Sequence, residues 1–194
     1  MQLLDEAIER IQTLIEQAQN SQLREPMAAS FATVDLKGRP SVRTLLLKQA
    51  DRDGLVFYTN TRSNKGQHLQ ENPYAAICIY YQEPHQQVQV AGPVEPVTAE
   101  EADAYWRTRP RASQLGAWAS RQSEVLSSRQ ELEERVETFD ARYAGVEVPR
   151  PDHWSGYRVV PERIEFWAGH PSRLNHRERY MLRQGEWVKE LLNP

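Results

Sequence analysis

Tight turns cut this chain into short apolar segments, and that spacing limits the folds open to it. Ala28 to Asp35, Ser41 to Lys48, Leu55 to Asn60, Tyr74 to Tyr81 and Gln87 to Val97 read as strands, with turns at Lys37-Gly38 and Asp51-Arg52-Asp53-Gly54. After a helical middle the pattern returns at Gly156 to Val160, Ile164 to Ala168, Arg179 to Leu182 and Glu186 to Leu191, the last two joined by Gln184-Gly185. Parallel neighbours need crossover connections of a dozen or more residues, usually helical. Few of these gaps allow one. The expected architecture is therefore mainly β with flanking helices, an antiparallel sheet closed as a barrel. Gly92-Pro93 predicts a bulge or an edge within its strand.

Helical segments appear in five places. Leu4, Ile8, Ile11, Leu14 and Ile15 form one apolar stripe, with Glu6 and Arg10 as an i,i+4 pair on the solvent side. Ser63 to Glu71 reads as a short helix with Ser63 as N-cap and Asn72-Pro73 as its stop. Thr98 and Glu101 have capping-box spacing for a helix towards Arg109, where Pro110 disfavours helical backbone and predicts a break. Ser113 to Ser120 and the charged segment Ser128 to Tyr143 follow, then a Pro-containing linker from Val146 to Asp152. Residues 1–194 are expected to form one domain: an N-terminal helix over 1–20, a helical insertion over 98–145 and C-terminal strands over 156–194.

Charge and composition narrow the function. A net charge of -3 lacks the basic excess of a nucleic-acid binder. The single cysteine, Cys78, lies in an apolar run and reads as a buried structural thiol. Asp5, Glu6 and Glu9 argue against a signal peptide, and no apolar run reaches membrane-spanning length, so a cytoplasmic location without membrane contact is expected. There is no P-loop, GxGxxG, HExxH or GxSxG motif. The five histidines show no metal-ligand spacing, and no metal is expected.

What the chain does carry is a dispersed set of anion-binding groups beside aromatics. Arg43 and Lys48 end a strand and point to opposite faces. Phe57-Tyr58-Thr59-Asn60 feeds a helix start at Ser63-Asn64-Lys65, and free amides with the helix dipole make such a junction a phosphate seat as well as an ordinary cap. Tyr105, Arg109 and Ser113 are spaced four apart; they suit a phosphate monoester, and arginines there also complement a helix C-terminus. Ile164-Glu165-Phe166-Trp167-Ala168-Gly169 followed by Ser172-Arg173-Leu174-Asn175-His176-Arg177 offers a flat indole and two planar cations. A hairpin with an aromatic plug and two solvated arginines fits the same residues.

In this order, Arg43-Thr44-Leu45-Leu46-Leu47-Lys48, Val56-Phe57-Tyr58-Thr59-Asn60, Gln87-Val88-Gln89-Val90-Ala91-Gly92, Arg109-Pro110-Arg111-Ala112-Ser113-Gln114-Leu115-Gly116-Ala117-Trp118, Arg121-Gln122-Ser123 and Ile164-Glu165-Phe166-Trp167 resemble the pyridoxamine 5'-phosphate oxidase family. The resemblance implies an antiparallel split β-barrel of the FMN-binding type and a homodimer with FMN where the subunits meet. It implies that Arg43, Thr44, Leu45, Leu46, Leu47, Lys48, Tyr58, Thr59, Asn64, Lys65, Gln87, Gln122, Ser123, Trp167 and Arg177 contact the cofactor. Lys48, Tyr105, Arg109 and Ser113 would hold the substrate's phosphate and ring, with Arg173, Leu174 and Asn175 over the substrate and Arg173 and Asn175 in the catalytic role. The implied reaction oxidises pyridoxamine or pyridoxine 5'-phosphate to pyridoxal 5'-phosphate, with O2 as acceptor and H2O2 as product. A related flavin oxidase with another flat, phenazine-type substrate, and a non-catalytic FMN- or pyridoxal-phosphate-binding protein, are the alternatives. The family pattern usually has His where Asn175 stands and Arg where Asn64 stands, with Arg62 nearby. Asn can hydrogen-bond but cannot titrate near neutral pH.

Overall fold

A computed structural model describes residues 2–194. Ten strands form one antiparallel sheet: β1 (Ala28–Val34), β2 (Pro40–Leu46), β3 (Gln49–Asp51), β4 (Gly54–Asn60), β5 (Tyr74–Tyr81), β6 (Gln86–Pro96), β7 (Trp154–Val159), β8 (Arg163–Ala168), β9 (His176–Arg183) and β10 (Glu186–Leu191). Five helices accompany them: α1 (Leu3–Gln19), α2 (Asn64–Glu71), α3 (Ala99–Thr108), α4 (Arg111–Ala119) and α5 (Arg129–Arg142). The main path runs β10-β9-β8-β6-β5-β1-β2, while β7 links β6 to β4. The result is a split barrel: the antiparallel pairing is what the short segments predict, and the split is what the family resemblance implies.

One strand makes the split. The first half of β6 pairs with β8, from Gln86↔Ala168 to Ala91↔Arg163. Its last residues pair instead with β7, from Val94↔Val159 to Pro96↔Tyr157. The exchange happens at Gly92-Pro93, where the sequence predicts a bulge or an edge. A Cβ on Gly92 would lie 1.8 Å from the Val160 carbonyl oxygen, so only glycine lets the β7–β8 connection cross here.

The core is assembled from alternate strand positions and the apolar stripe of α1. Phe31, Phe57, Ile77, Val90, Val159, Ile164 and Tyr180 are at most 1% exposed, and Ile8, Ile11 and Ile15 pack onto them. A second cluster joins the helical insertion to β7 through Trp106, Leu115, Tyr143, Val148 and Trp154.

Several local expectations need correcting. Glu6 and Arg10 do not pair on the solvent side. Both turn to the C-terminal strands, where Tyr180 donates to Glu6 Oε1 at 2.7 Å and accepts from Arg10 Nη1 at 2.8 Å. Arg10 also pairs with Glu178 and lies 3.9 Å over the Phe166 ring. Ser63 occupies the N-cap of α2, but its hydroxyl caps nothing and donates to Asn60 O at 2.7 Å. Strand β2 ends at Leu46, and the chain then forms the unforeseen β3. Cys78 is half-buried rather than fully enclosed. Strand β7 begins at Trp154, two residues before the sequence indicates, and β9 already begins at His176.

Candidate functional site

The segments between β2, the end of β4, the start of α2 and the α3–α4 break converge on one cleft of about 450 Å³. Its walls carry Lys48, Tyr58, Thr59, Lys65, Arg109 and Gln122, with Thr44, Leu45, Leu46, Tyr105 and Ser113 completing them. In β2 and its extension the side chains alternate. Arg43, Leu45 and Leu47 face inward, while Thr44, Leu46 and Lys48 are exposed. Leu47 is 1% exposed and belongs to the core, so only its backbone could reach a ligand.

At the floor of the cleft Lys65 Nζ donates to Thr59 Oγ1 at 3.1 Å, Ser63 Oγ at 3.1 Å and Gln122 Oε1 at 3.2 Å. All three acceptors are neutral. Burial, and then the nearby Arg43 charge, push the Lys65 ammonium down to about 8 from its usual 10.5. Arg43 donates to Phe31 O, Thr33 Oγ1 and Ser41 Oγ, again without a carboxylate, and burial lowers it as well. Ser123 takes the unusual φ of 76° and accepts the Asn64 amide at 3.2 Å, so the 120s loop covers the first turn of α2. Thr59, Lys65 and Gln122 are thus one hydrogen-bonded group, with the Asn64–Ser123 pair adjacent in sequence to it, although they come from three segments.

The upper wall is aromatic. Tyr58 stacks on Tyr105 with centroids 4.1 Å apart and on Trp154 at 5.4 Å. Tyr105, Arg109 and Ser113 do not lie on one continuous helix: Arg109 is the C-cap of α3 with extended backbone, and α4 starts at Arg111. The break still delivers Arg109 and Ser113 to the cleft. Arg109 Nη1 is buried and has no hydrogen-bond partner among the described residues. Its guanidinium lies 4.6 Å from the Trp154 ring centroid and 5.2 Å from that of Trp106. Trp154 falls between the linker and the strand read from sequence and opens β7; its only local signal is a large aromatic near a strand start.

The remaining expected site residues lie elsewhere. Gln87 and Trp167 are register partners at the far end of β6 and β8, and Trp167 also faces Arg177 across β9. They border a separate groove against α1 of about 390 Å³. Trp167 meets His85 edge-on at 5.1 Å. Arg177 donates twice to the buried Glu165, at 2.9 and 2.7 Å, and once to Asn193 O. Arg173 and Leu174 are exposed in the β8–β9 turn, with Arg173 at φ 63°. Asn175 sits just before β9, and its Oδ1 accepts the His170 amide at 3.1 Å. None of these residues lines the Lys65–Arg109 cleft of the same chain.

Residues 15–143 match the family described as pyridoxamine 5'-phosphate oxidase, and residues 154–194 match one described as pyridoxine 5'-phosphate oxidase C-terminal dimerisation region. A pyridoxine/pyridoxamine 5'-phosphate oxidase of Myxococcus xanthus (strain DK1622) is 51% identical over 187 residues, covering 96% of this chain and 91% of its own. Among solved structures, PhzG from Burkholderia lata 383, in complex with tetrahydrophenazine-1-carboxylic acid, superposes with a TM-score of 0.91 at 33% identity, covering 96% of this chain and 92% of its own. A pyridoxamine 5'-phosphate oxidase-related, FMN binding protein from Nostoc punctiforme PCC 73102 shares the fold, with a TM-score of 0.76 at 22% identity and 96% of each chain covered.

Proposed function

The chain belongs to the pyridoxamine 5'-phosphate oxidase family, and from that premise we propose that it oxidises pyridoxamine or pyridoxine 5'-phosphate to pyridoxal 5'-phosphate, with FMN as cofactor, O2 as acceptor and H2O2 as product. The observation that carries this is the cleft's supply of cations that no protein carboxylate neutralises. Lys65 is held by neutral acceptors, and Arg109 keeps a buried donor without a partner. Such groups are costly to bury unless an anion joins them. There are two such centres, one at the start of α2 and one at the α3–α4 break. Two phosphates, one on the cofactor and one on the substrate, suit that division.

The donor set fits FMN. Lys65, the first amides of α2, Thr59, Gln122 and Ser123 would take its phosphate, and Arg43, Thr44, Leu45, Leu46, Lys48 and Tyr58 would line its path, with Leu47 acting through its backbone. When bound, FMN supplies a ring that accepts a hydride from the substrate carbon and passes the electrons to O2. Arg109, Ser113 and Tyr105 would hold the substrate phosphate, and Lys48, 5.8 Å from the Tyr105 ring centroid, would steer it inward. Each charge-assisted hydrogen bond contributes about 1.5–3 kcal/mol. No nucleophile or metal is needed, because orientation of two flat rings in a charge-complementary site does the chemistry.

The second half of the site would come from a second copy. Gln87, Trp167, Arg173, Leu174, Asn175 and Arg177 do not line the same chain's cleft, and the segment that bears five of the six matches a dimerisation region. We therefore assign them to the partner subunit's site in a homodimer, with Trp167 and Arg177 against the flavin and Arg173 and Asn175 over the substrate. Asn175 would act by hydrogen bonding alone. The phosphate-directed Arg109 and Ser113 favour a phosphorylated vitamer over a phenazine-type carboxylate.

Anaerobic addition of pyridoxine 5'-phosphate to the yellow protein should bleach its flavin absorbance, and air should restore it with release of H2O2. A yellow protein that never bleaches would overturn the oxidase reading, and one that takes up no FMN would overturn the cofactor.

A further inference from the structure

We propose that Trp154 is a positioning residue for substrate recognition: it holds the Arg109 guanidinium in place without neutralising it, and so sets the preference for a phosphorylated substrate. The inference rests on the phosphorylated-vitamer reading of the cleft.

The contrast with neighbouring arginines carries the argument. Arg111, two residues away, is tied to Asp140 at 2.9 Å, and Arg150 is bound to Asp103 at 2.5 Å. Those two cations are spent on structural carboxylates. Arg109 has an indole instead, with its Cζ 4.6 Å from the Trp154 centroid. A guanidinium resting on a ring uses its flat face, whereas its N–H donors point outward in its own plane. Carboxylate anchoring would fix the side chain and cancel its charge. Aromatic anchoring fixes it and leaves charge and donors available, which agrees with the buried Arg109 Nη1 that finds no protein partner.

Trp154 is itself held rigidly. It is 5% exposed, stacks nearly parallel to Tyr58 at an interplanar angle of 8°, and meets Trp106 edge-on at 4.9 Å. Trp106 is pinned in turn, its indole N–H donating to Val148 O at 2.8 Å. The support matters because the Arg109 backbone sits at a helix break and has no continuing turn to orient its side chain.

The test is calorimetric titration of the FMN-loaded protein with pyridoxal 5'-phosphate and, separately, with phosphate-free pyridoxal. Wild type should prefer the phosphorylated form. Trp154→Leu should weaken pyridoxal 5'-phosphate binding roughly ten-fold and change pyridoxal binding by less than about two-fold. Trp154→Phe, which keeps an aromatic face, should recover most of the loss. In a double-mutant cycle, adding Trp154→Leu to Arg109→Ala should cost nothing further in phosphate preference. Equal weakening of both ligands, or full additivity in the cycle, would overturn the proposal. So would an unaltered preference in Trp154→Leu while wild type discriminates, and that result leaves the substrate reading intact. Equal binding of both ligands by wild type would sink the substrate reading and this inference together. Should Trp154→Leu fail to fold, Trp154→Phe decides: a selective loss of about two- to three-fold supports the proposal, and an unselective one overturns it.

Discussion

Lys65 shows how one residue's surroundings set its chemistry. Its neighbours offer three hydrogen bonds but no negative charge, and its ammonium is held near 8 by burial and by Arg43. The charged form therefore opposes folding below about 8, and that penalty is relieved as pH rises towards the ordinary value of 10.5. Anion binding works in the other direction, because an anion favours the protonated lysine and pulls its pKa back up. Affinity of the apoprotein for FMN should thus be flat between about pH 7, where the phosphate monoester is already a dianion, and 8, and fall as pH rises through 8, with proton uptake on binding. Titration calorimetry in buffers of different ionisation enthalpy measures both; an affinity unchanged from pH 7 to 10 would contradict the role given to Lys65. Lys65→Gln should remove the pH dependence and weaken FMN by about 10- to 100-fold. Tyr58, Thr59 and Lys65 could be suspected from sequence because a strand running into a helix start is a local pattern. Their partner Gln122 has no such local pattern and was indicated only by the family resemblance, since it lies on a loop brought in by tertiary packing.

At the scale of elements, the capping box of α3 formed as read: Thr98 Oγ1 accepts the Glu101 amide and Glu101 accepts the Thr98 amide. Both bonds lie within four residues, so sequence spacing suffices. The docking of α1 is the opposite case. Glu6 and Arg10 find Tyr180, Glu178 and Lys189, from strands at the other end of the chain. The i,i+4 spacing was real, but a buried phenol 174 positions after Glu6 and a cation 183 positions after it make better partners than solvent does. Hydrogen bonds from Lys189 and Tyr180 hold the Glu6 carboxyl below its usual range. Its contribution to docking is present above the ordinary value of 4.5 and is lost as pH falls through the lowered one. Tyr180→Phe keeps the 0% exposed ring but strips the shared hydroxyl. It should destabilise the protein by about 1–2 kcal/mol and lower Tm by roughly 2–8 °C in a thermal melt. An unchanged Tm would mean that α1 is held by its apolar stripe alone.

For the whole molecule, the decisive fact is separation. The cleft with Lys65 and Arg109 and the groove with Trp167 are lined by different residues, so the proposed site would close only between two copies. Mixed dimers test this. Arg109→Ala and Trp167→Ala should each be severely impaired, yet a co-refolded mixture should regain up to about a quarter of wild-type activity, since half of its dimers would each carry one intact site. No recovery would place both residues in the same chain's site.

Sequence by itself determined the antiparallel strands, the helix starts and stops, the break at Pro110 and the ordered motifs that resemble the family, because periodicity, capping and turn chemistry act within a few residues. Only the tertiary structure decided that β6 changes partners at Gly92, that α1 faces the C-terminal strands, that Arg109 rests on Trp154, and that the expected site residues form two groups rather than one. Those outcomes depend on which distant side chains compete successfully for each buried charge and apolar face, and chain spacing carries no record of that competition.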